Sequence, residues 1–169
     1  MAPHRPELQG LRRLRAAHRS GDPGRHLHAE VTGGIAVAED ADLISAAAGA
    51  RSRSHVPYSG FAMGAAVRTD TGEVLLGAVV ENVSLGLAMC AERVALFSAV
   101  ATDAGTPVAL ALVAPRTDGQ LTHPCGACLR VALELGGPGL RIVVADPDGF
   151  SQTSDVSTLL PAGPHKPKR

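Results

Sequence analysis

Three cysteines are all that this 169-residue chain contains, and they stand in two places: Cys90 in "MCAERVALFSAV", and Cys125 with Cys128 in "HPCGACLRVALEL". Each place reads as a strand–loop–helix joint with its thiols in the first helical turn. A helix N-terminus carries partial positive charge, which lowers a thiol pKa and favours the thiolate. The joints are 35 positions apart, so thiols that act together require a fold that turns two helix starts towards one point.

The remaining pattern suits such a fold. Residues 39–53 read as an Ala-rich helix opened by acidic residues. "FAMGAAVRT" and "VLLGAVVEN" read as strands joined by the hairpin signal "DTGE". Residues 90–102 are apolar nearly all round, which predicts a buried helix. "PVALALVA" is a third strand, and residues 125–135 are a helix stopped by Gly136 and Gly137. "LRIVVAD" is a fourth strand, and a short fifth is expected around Phe150. This α-β-β-α-β-α-β-β order implies a three-layer α/β/α fold with a five-stranded mixed sheet. The domain is expected over residues 39–161. Residues 1–38, rich in arginine, read as a flexible basic extension, and residues 162–169 as a flexible tail.

Composition narrows the function. The formal net charge is zero, so no overall pull towards nucleic acid or an anionic membrane is implied. Tyr58, Phe61, Phe97 and Phe150 are the only aromatic residues, too few for a base-stacking platform. No apolar run approaches the ~20 residues of a membrane span, and the first residues lack the apolar core of a secretory signal. An odd cysteine count argues against a secreted disulfide scaffold. A cytoplasmic chain with reduced thiols is expected, without nucleic-acid or membrane partners.

The Cys-x-x-Cys pair admits two chemistries. Thioredoxin-like pairs follow the first strand of their fold, whereas this one follows the third predicted strand. As half of a zinc site it needs a further ligand, and Cys90 is the remaining cysteine. Three thiolates with one position open to water make a catalytic arrangement rather than a structural one. His123 is near, but Pro124 turns the chain away after it. Glu92, two positions after Cys90, cannot share its direction on a first helical turn, so it stands beside the metal. A carboxylate there can take a proton from bound water and pass it to a substrate nitrogen.

"CAER" with "PCGAC" resembles the cytidine deaminase superfamily, in which Cys/His-x-Glu pairs with Pro-Cys-x-x-Cys. The likeness extends through "VPYSGFAMGAAVRTDTGEVLLGAVVENVSLGLAMCAERVALFSAV" and to "PDG" and "LLP", covering about residues 41–161. Cysteine at the first ligand position is similar to the small homotetrameric enzymes that act on free nucleosides. The resemblance implies zinc on Cys90, Cys125 and Cys128, with Glu92 moving protons to N3 of the cytosine ring and then to the departing amino group. It implies that backbone groups at Ala91 and Pro124 hold the exocyclic amine, that Phe61 lies near the base, and that Glu81 accepts hydrogen bonds from the sugar. Arg93 matches an arginine that offsets the thiolate charge by hydrogen bonding to sulfur.

Three positions depart from the family pattern. Val79 stands where Asn usually precedes the sugar-binding Glu, Leu85 replaces an aromatic residue, and no Phe follows "LLP". Alternative readings are therefore a deaminase of a modified cytosine nucleoside (a blasticidin-type antibiotic) or another aminoheterocycle, and a zinc-binding protein without catalysis. The intact Glu92 argues against the last.

Overall fold

The computed structural model describes residues 34–164. The basic extension as far as residue 33 and the tail from residue 165 lie outside the described residues. Within them the chain forms helix α1 (Gly34–Arg51), strands β1 (Gly64–Thr69) and β2 (Val74–Ala78), a 3₁₀ turn (Leu85–Leu87), helix α2 (Ala91–Ala101), strand β3 (Pro107–Val113), helix α3 (Gly126–Gly136), strands β4 (Arg141–Ala145) and β5 (Ser151–Asp155), and a short helix α4 (Val156–Leu159). The sheet order is β2-β1-β3-β4-β5. Only β3 and β4 run parallel; the other three pairings are antiparallel.

Side-chain alternation along the strands builds the three layers. In β3, Ala109, Ala111 and Val113 pack with Leu43 and Ala47 of α1. Leu110 and Leu112 point the other way, into a core with Ala95 and Leu96 of α2 and Ala132 of α3. A strand covered on both faces has no reason to alternate polar with apolar residues, which is why "ALALV" is continuous. The expected three-layer α/β/α fold with a five-stranded mixed sheet is the one observed. No helix among the described residues is long and apolar enough to cross a membrane.

Several element boundaries differ from the sequence expectation. Helix α1 begins at Gly34, so Glu39 and Asp40 lie inside it rather than opening it. Their carboxylates face arginines instead: Arg141 Nη2 lies 3.0 Å from Asp40 and 3.6 Å from Glu39, and Arg68 Nη1 lies 4.0 Å from Glu39. Ahead of Gly64, where strand β1 starts, the carbonyls also serve side chains from the end of α1 and the turn after it. Ala62 O accepts from Arg51 Nε (2.9 Å), and Met63 O accepts from Ser54 Oγ (2.9 Å) and Val79 N (3.1 Å). Phe61, expected on a strand, sits in the loop before it. Helix α2, expected to be buried all round, leaves Phe97 44% and Val100 60% exposed. Past Leu160 the chain stays packed as far as Gly163, which is buried and donates its N–H to Leu160 O at 3.2 Å.

Candidate active site

Cys90 and Cys125 are the N-cap residues of α2 and α3, in nearly the same extended conformation (φ −69°, ψ 149° and φ −68°, ψ 163°). Each accepts the first intrahelical bond on its carbonyl, from Val94 N at 3.2 Å and Leu129 N at 2.9 Å. Cys128 follows on the first turn of α3. The sulfur atoms of Cys90, Cys125 and Cys128 all lie within 4.8 Å of one another, and no disulfide joins them. The Cys125 and Cys128 sulfurs are 3.5 Å apart. Tetrahedral zinc with ~2.3 Å bonds to sulfur separates its sulfurs by about 3.8 Å, so the cluster has the span that such an ion needs.

The electrostatics point the same way. Cys90 is held below the ordinary thiol pKa, first by a hydrogen bond from Cys128 and then by Arg93. Cys128 is pushed above it, because it holds its proton in a hydrogen bond to the Cys90 sulfur and is buried. The protein alone thus accommodates one negative sulfur and resists a second, and a divalent cation removes that limit because metal binding displaces thiol protons. Arg93 Nη2 donates to Cys90 Sγ at 3.6 Å, the contact expected of a charge-compensating arginine.

Glu92 is 1% exposed. Burial pushes its carboxyl up to about 7, and the negative charge at Cys90 adds to the effect. Its Oε2 is buried and finds no hydrogen-bond partner among the described residues. An orphaned carboxylate oxygen costs on the order of 1–3 kcal/mol, a penalty without a structural purpose unless something else is bound there. Three clustered thiols and this unpartnered oxygen fit a metal ion with a polar ligand beside the carboxylate.

The remaining predicted residues lie around this point. Ala91 and Pro124 are buried at the two helix starts, one residue from Cys90 and Cys125. The strand expected to continue past Ala78 becomes a narrow ladder. Val80 bridges to Met89 on one side, with both bonds 2.9 Å, and to His55 on the other. This sets Glu81 next to the residues that lead into Cys90. Glu81 accepts from Tyr58 N at 3.0 Å, from Ser59 N at 3.3 Å and from Ser59 Oγ. Phe61 packs half-buried against the α2–α3 core, and its N–H donates to Ser59 Oγ at 2.9 Å. Ser59, not singled out from the sequence, thus touches both. A hydroxyl in the turn-forming stretch "PYSGF" was the available signal. Val79 is half-buried and uses its backbone, N–H to Met63 and C=O to His55, to hold the ladder.

Comparison with known proteins agrees with this geometry. Residues 37–144 match the family model described as the cytidine and deoxycytidylate deaminase zinc-binding region. A cytidine deaminase from Halalkalibacterium halodurans is 42% identical over 119 residues, 70% of this chain and 89% of the relative. One from Mycobacterium tuberculosis is 47% identical over 97 residues, covering 57% and 68% respectively. The crystal structure of the Burkholderia pseudomallei cytidine deaminase superposes with a TM-score of 0.69 at 43% identity, covering 73% of this chain and 97% of that one. With the thiol triad, the zinc-binding match identifies the cofactor as Zn²⁺. The chain belongs to the cytidine and deoxycytidylate deaminase family.

Proposed function

We propose that this chain is a hydrolytic deaminase that converts cytidine-type nucleosides to their uridine-type products, releasing ammonia, with Glu92 as the proton carrier. The observation that carries this reading is the buried, unpartnered Glu92 oxygen beside three convergent thiols. Its relatives bear the name cytidine deaminase, which favours an ordinary cytidine-type substrate over the modified nucleosides that Val79 alone suggested.

Cys90, Cys125 and Cys128 hold the zinc, which when bound supplies Lewis-acid activation of water for attack at C4 of the ring. Glu92, with its carboxyl poised near neutrality, holds the proton taken from that water and delivers it to N3. It then takes the proton of the new C4 hydroxyl and passes it to the amino nitrogen, so that C4 keeps a carbonyl oxygen and loses ammonia. A carboxylate kept dry by burial protonates more readily than one in water, which suits it to both transfers. Backbone groups at Ala91 and Pro124 orient the exocyclic amine, Phe61 borders the base, and Glu81 accepts from the sugar. Arg93 withdraws charge from the Cys90 sulfur, which counters the weakening of the metal by three thiolates.

The domain takes in the whole of α1 from Gly34 and the chain as far as Gly163 as well as residues 39–161, and it works in the cytoplasm in pyrimidine salvage, as a homotetramer. Exposed apolar side chains on neighbouring segments support assembly: Leu85 is 86% exposed and Leu87 is 70% exposed, just ahead of the helix that carries Phe97 and Val100. Replacing Glu92 by Gln keeps the shape and removes the proton carrier. Turnover of cytidine, followed by ammonia release, is expected to fall by about 10²–10⁴ while zinc content stays unchanged. A zinc-replete wild-type protein that releases no ammonia from cytidine or deoxycytidine would overturn the reading.

A further inference from the structure

Glu81 is unusual for a carboxylate near a protein surface, because its own chain already supplies three hydrogen bonds to it. Tyr58 N and Ser59 N converge on Oε2, and Ser59 Oγ takes Oε1. An ionised carboxylate offers about four acceptor sites, so Glu81 is left with room for one more donor. The Ser59 hydroxyl has one proton, and that proton goes to Glu81, so its oxygen is free to accept from Phe61 N at 2.9 Å. The result is a directional relay from Phe61 N–H through Ser59 O–H to Glu81, with each bond polarising the next. The same hydroxyl is the leading cause that holds Glu81 below the ordinary carboxylate range. The His55–Val80–Met89 ladder, with Glu81 N donating to His55 O at 2.8 Å, fixes the Glu81 end of this relay against the segment that enters Cys90.

We propose that Ser59 is a positioning residue for nucleoside recognition, which locks the Glu81 carboxylate into one orientation with a single open acceptor site for a sugar hydroxyl and fixes it relative to Phe61. The inference rests on the reading that Glu81 accepts from the sugar. Ser59 itself touches no substrate; it acts through Glu81.

The test compares Ser59→Ala, Ser59→Thr and Glu81→Ala on cytidine and on 2′,3′-dideoxycytidine, which lacks both ring hydroxyls. Ser59→Ala is expected to raise KM for cytidine by about 5–30-fold with little change in kcat, and to leave KM for the dideoxy analogue unaltered. Ser59→Thr keeps a hydroxyl at the same place and is expected to restore cytidine KM. Measuring both substrates on one protein sample cancels any loss of folded enzyme from the comparison. If Glu81→Ala weakens cytidine selectively but Ser59→Ala affects both substrates equally, or neither, the positioning role is overturned while the reading of Glu81 stands. If Glu81→Ala itself does not distinguish the two substrates, Glu81 does not read the sugar, and the inference falls with it.

Discussion

Asp146 shows how one buried charge holds the loop that leads to the Cys125 segment. It follows β4 and is nearly inaccessible, yet both of its carboxylate oxygens are satisfied. Arg116 Nε donates to Oδ2 at 2.7 Å, and Asp148 N and Phe150 N donate to Oδ1 at 3.0 and 2.9 Å. Arg116 also donates to Gly119 O at 3.1 Å and stacks 5.0 Å over the Phe150 ring. The Arg116 guanidinium is the leading reason that Asp146 stays below the ordinary aspartate range. A carboxylate depressed in the folded state contributes stability above its unfolded pKa and loses that contribution as pH falls through the folded value. Asp146→Asn keeps an acceptor for the two amides but removes the charge and puts an NH2 donor where Arg116 Nε now finds an acceptor. The variant should therefore melt below wild type at neutral pH, and the gap should shrink as pH drops below about 3.9, where the unfolded chain's aspartate takes up a proton, and go on shrinking until pH passes the lower folded value. Melting curves in which the gap persists unchanged to pH 2 would refute this assignment. At this scale the metal site was legible in the sequence, because cysteine is rare here and its spacing leaves few arrangements. Ser59 and Asp146 were not. Serine and aspartate are common in turns, and their partners, 22 and 30 positions away in sequence, exist only once the loops fold.

Two glycines govern how closely the helices lie on the sheet. A Cβ at Gly64 of β1 would strike the backbone of Ala47 and Arg51 in α1, and one at Gly77 of β2 would strike the backbone of Ala91 and Ala95 in α2. The strands thus approach one helix on each face at glycine, where no side chain stands between them. Gly77 has the greater consequence, because Ala91 lies between Cys90 and Glu92. Gly77→Ala should push α2 outward, costing roughly 1–3 kcal/mol in urea unfolding and reducing zinc content in the purified protein. Gly49, exposed in α1 with nothing within 4 Å of its Cβ position, is the control. Gly49→Ala should stabilise by roughly 0.5–1 kcal/mol with zinc unchanged. Equal effects at both positions would show that close packing at Gly77 is not what sets α2. The elements themselves were readable in order and type, since each has a clear apolar run between turn residues. Their ends were less so. Acidic residues suit a helix start, but Glu39 and Asp40 are used against Arg68 and Arg141, which flank Ala109 from the two neighbouring strands. A local preference cannot register a partner supplied by the sheet.

For the molecule as a whole, the exposed apolar side chains decide what the fold requires from outside. The "apolar nearly all round" pattern of α2 predicted a buried helix, and the described chain buries only one side of it. Ala95, Leu96 and Ala99 enter the core, while Phe97 and Val100 stay open to solvent. Contiguous apolar surface of this kind marks an interaction site more often than a solvated face. The expectation of burial and the observed exposure agree if a second copy of the chain supplies the cover. Val100→Glu tests this at a position that contributes nothing to the single chain's core. It should leave zinc content near wild type and change the intrinsic stability of a single subunit by no more than about 0.5 kcal/mol, as other solvent-exposed substitutions do, while loss of assembly lowers the apparent stability by mass action. In an assembly that covers α2, the same change places a charge in an apolar contact. Sedimentation velocity at micromolar concentration should then show a shift from tetramer to smaller species, with turnover of cytidine falling in parallel if neighbouring subunits complete each pocket. A wild-type chain that sediments as a monomer, or a Val100→Glu protein that remains tetrameric, would remove this face from the assembly.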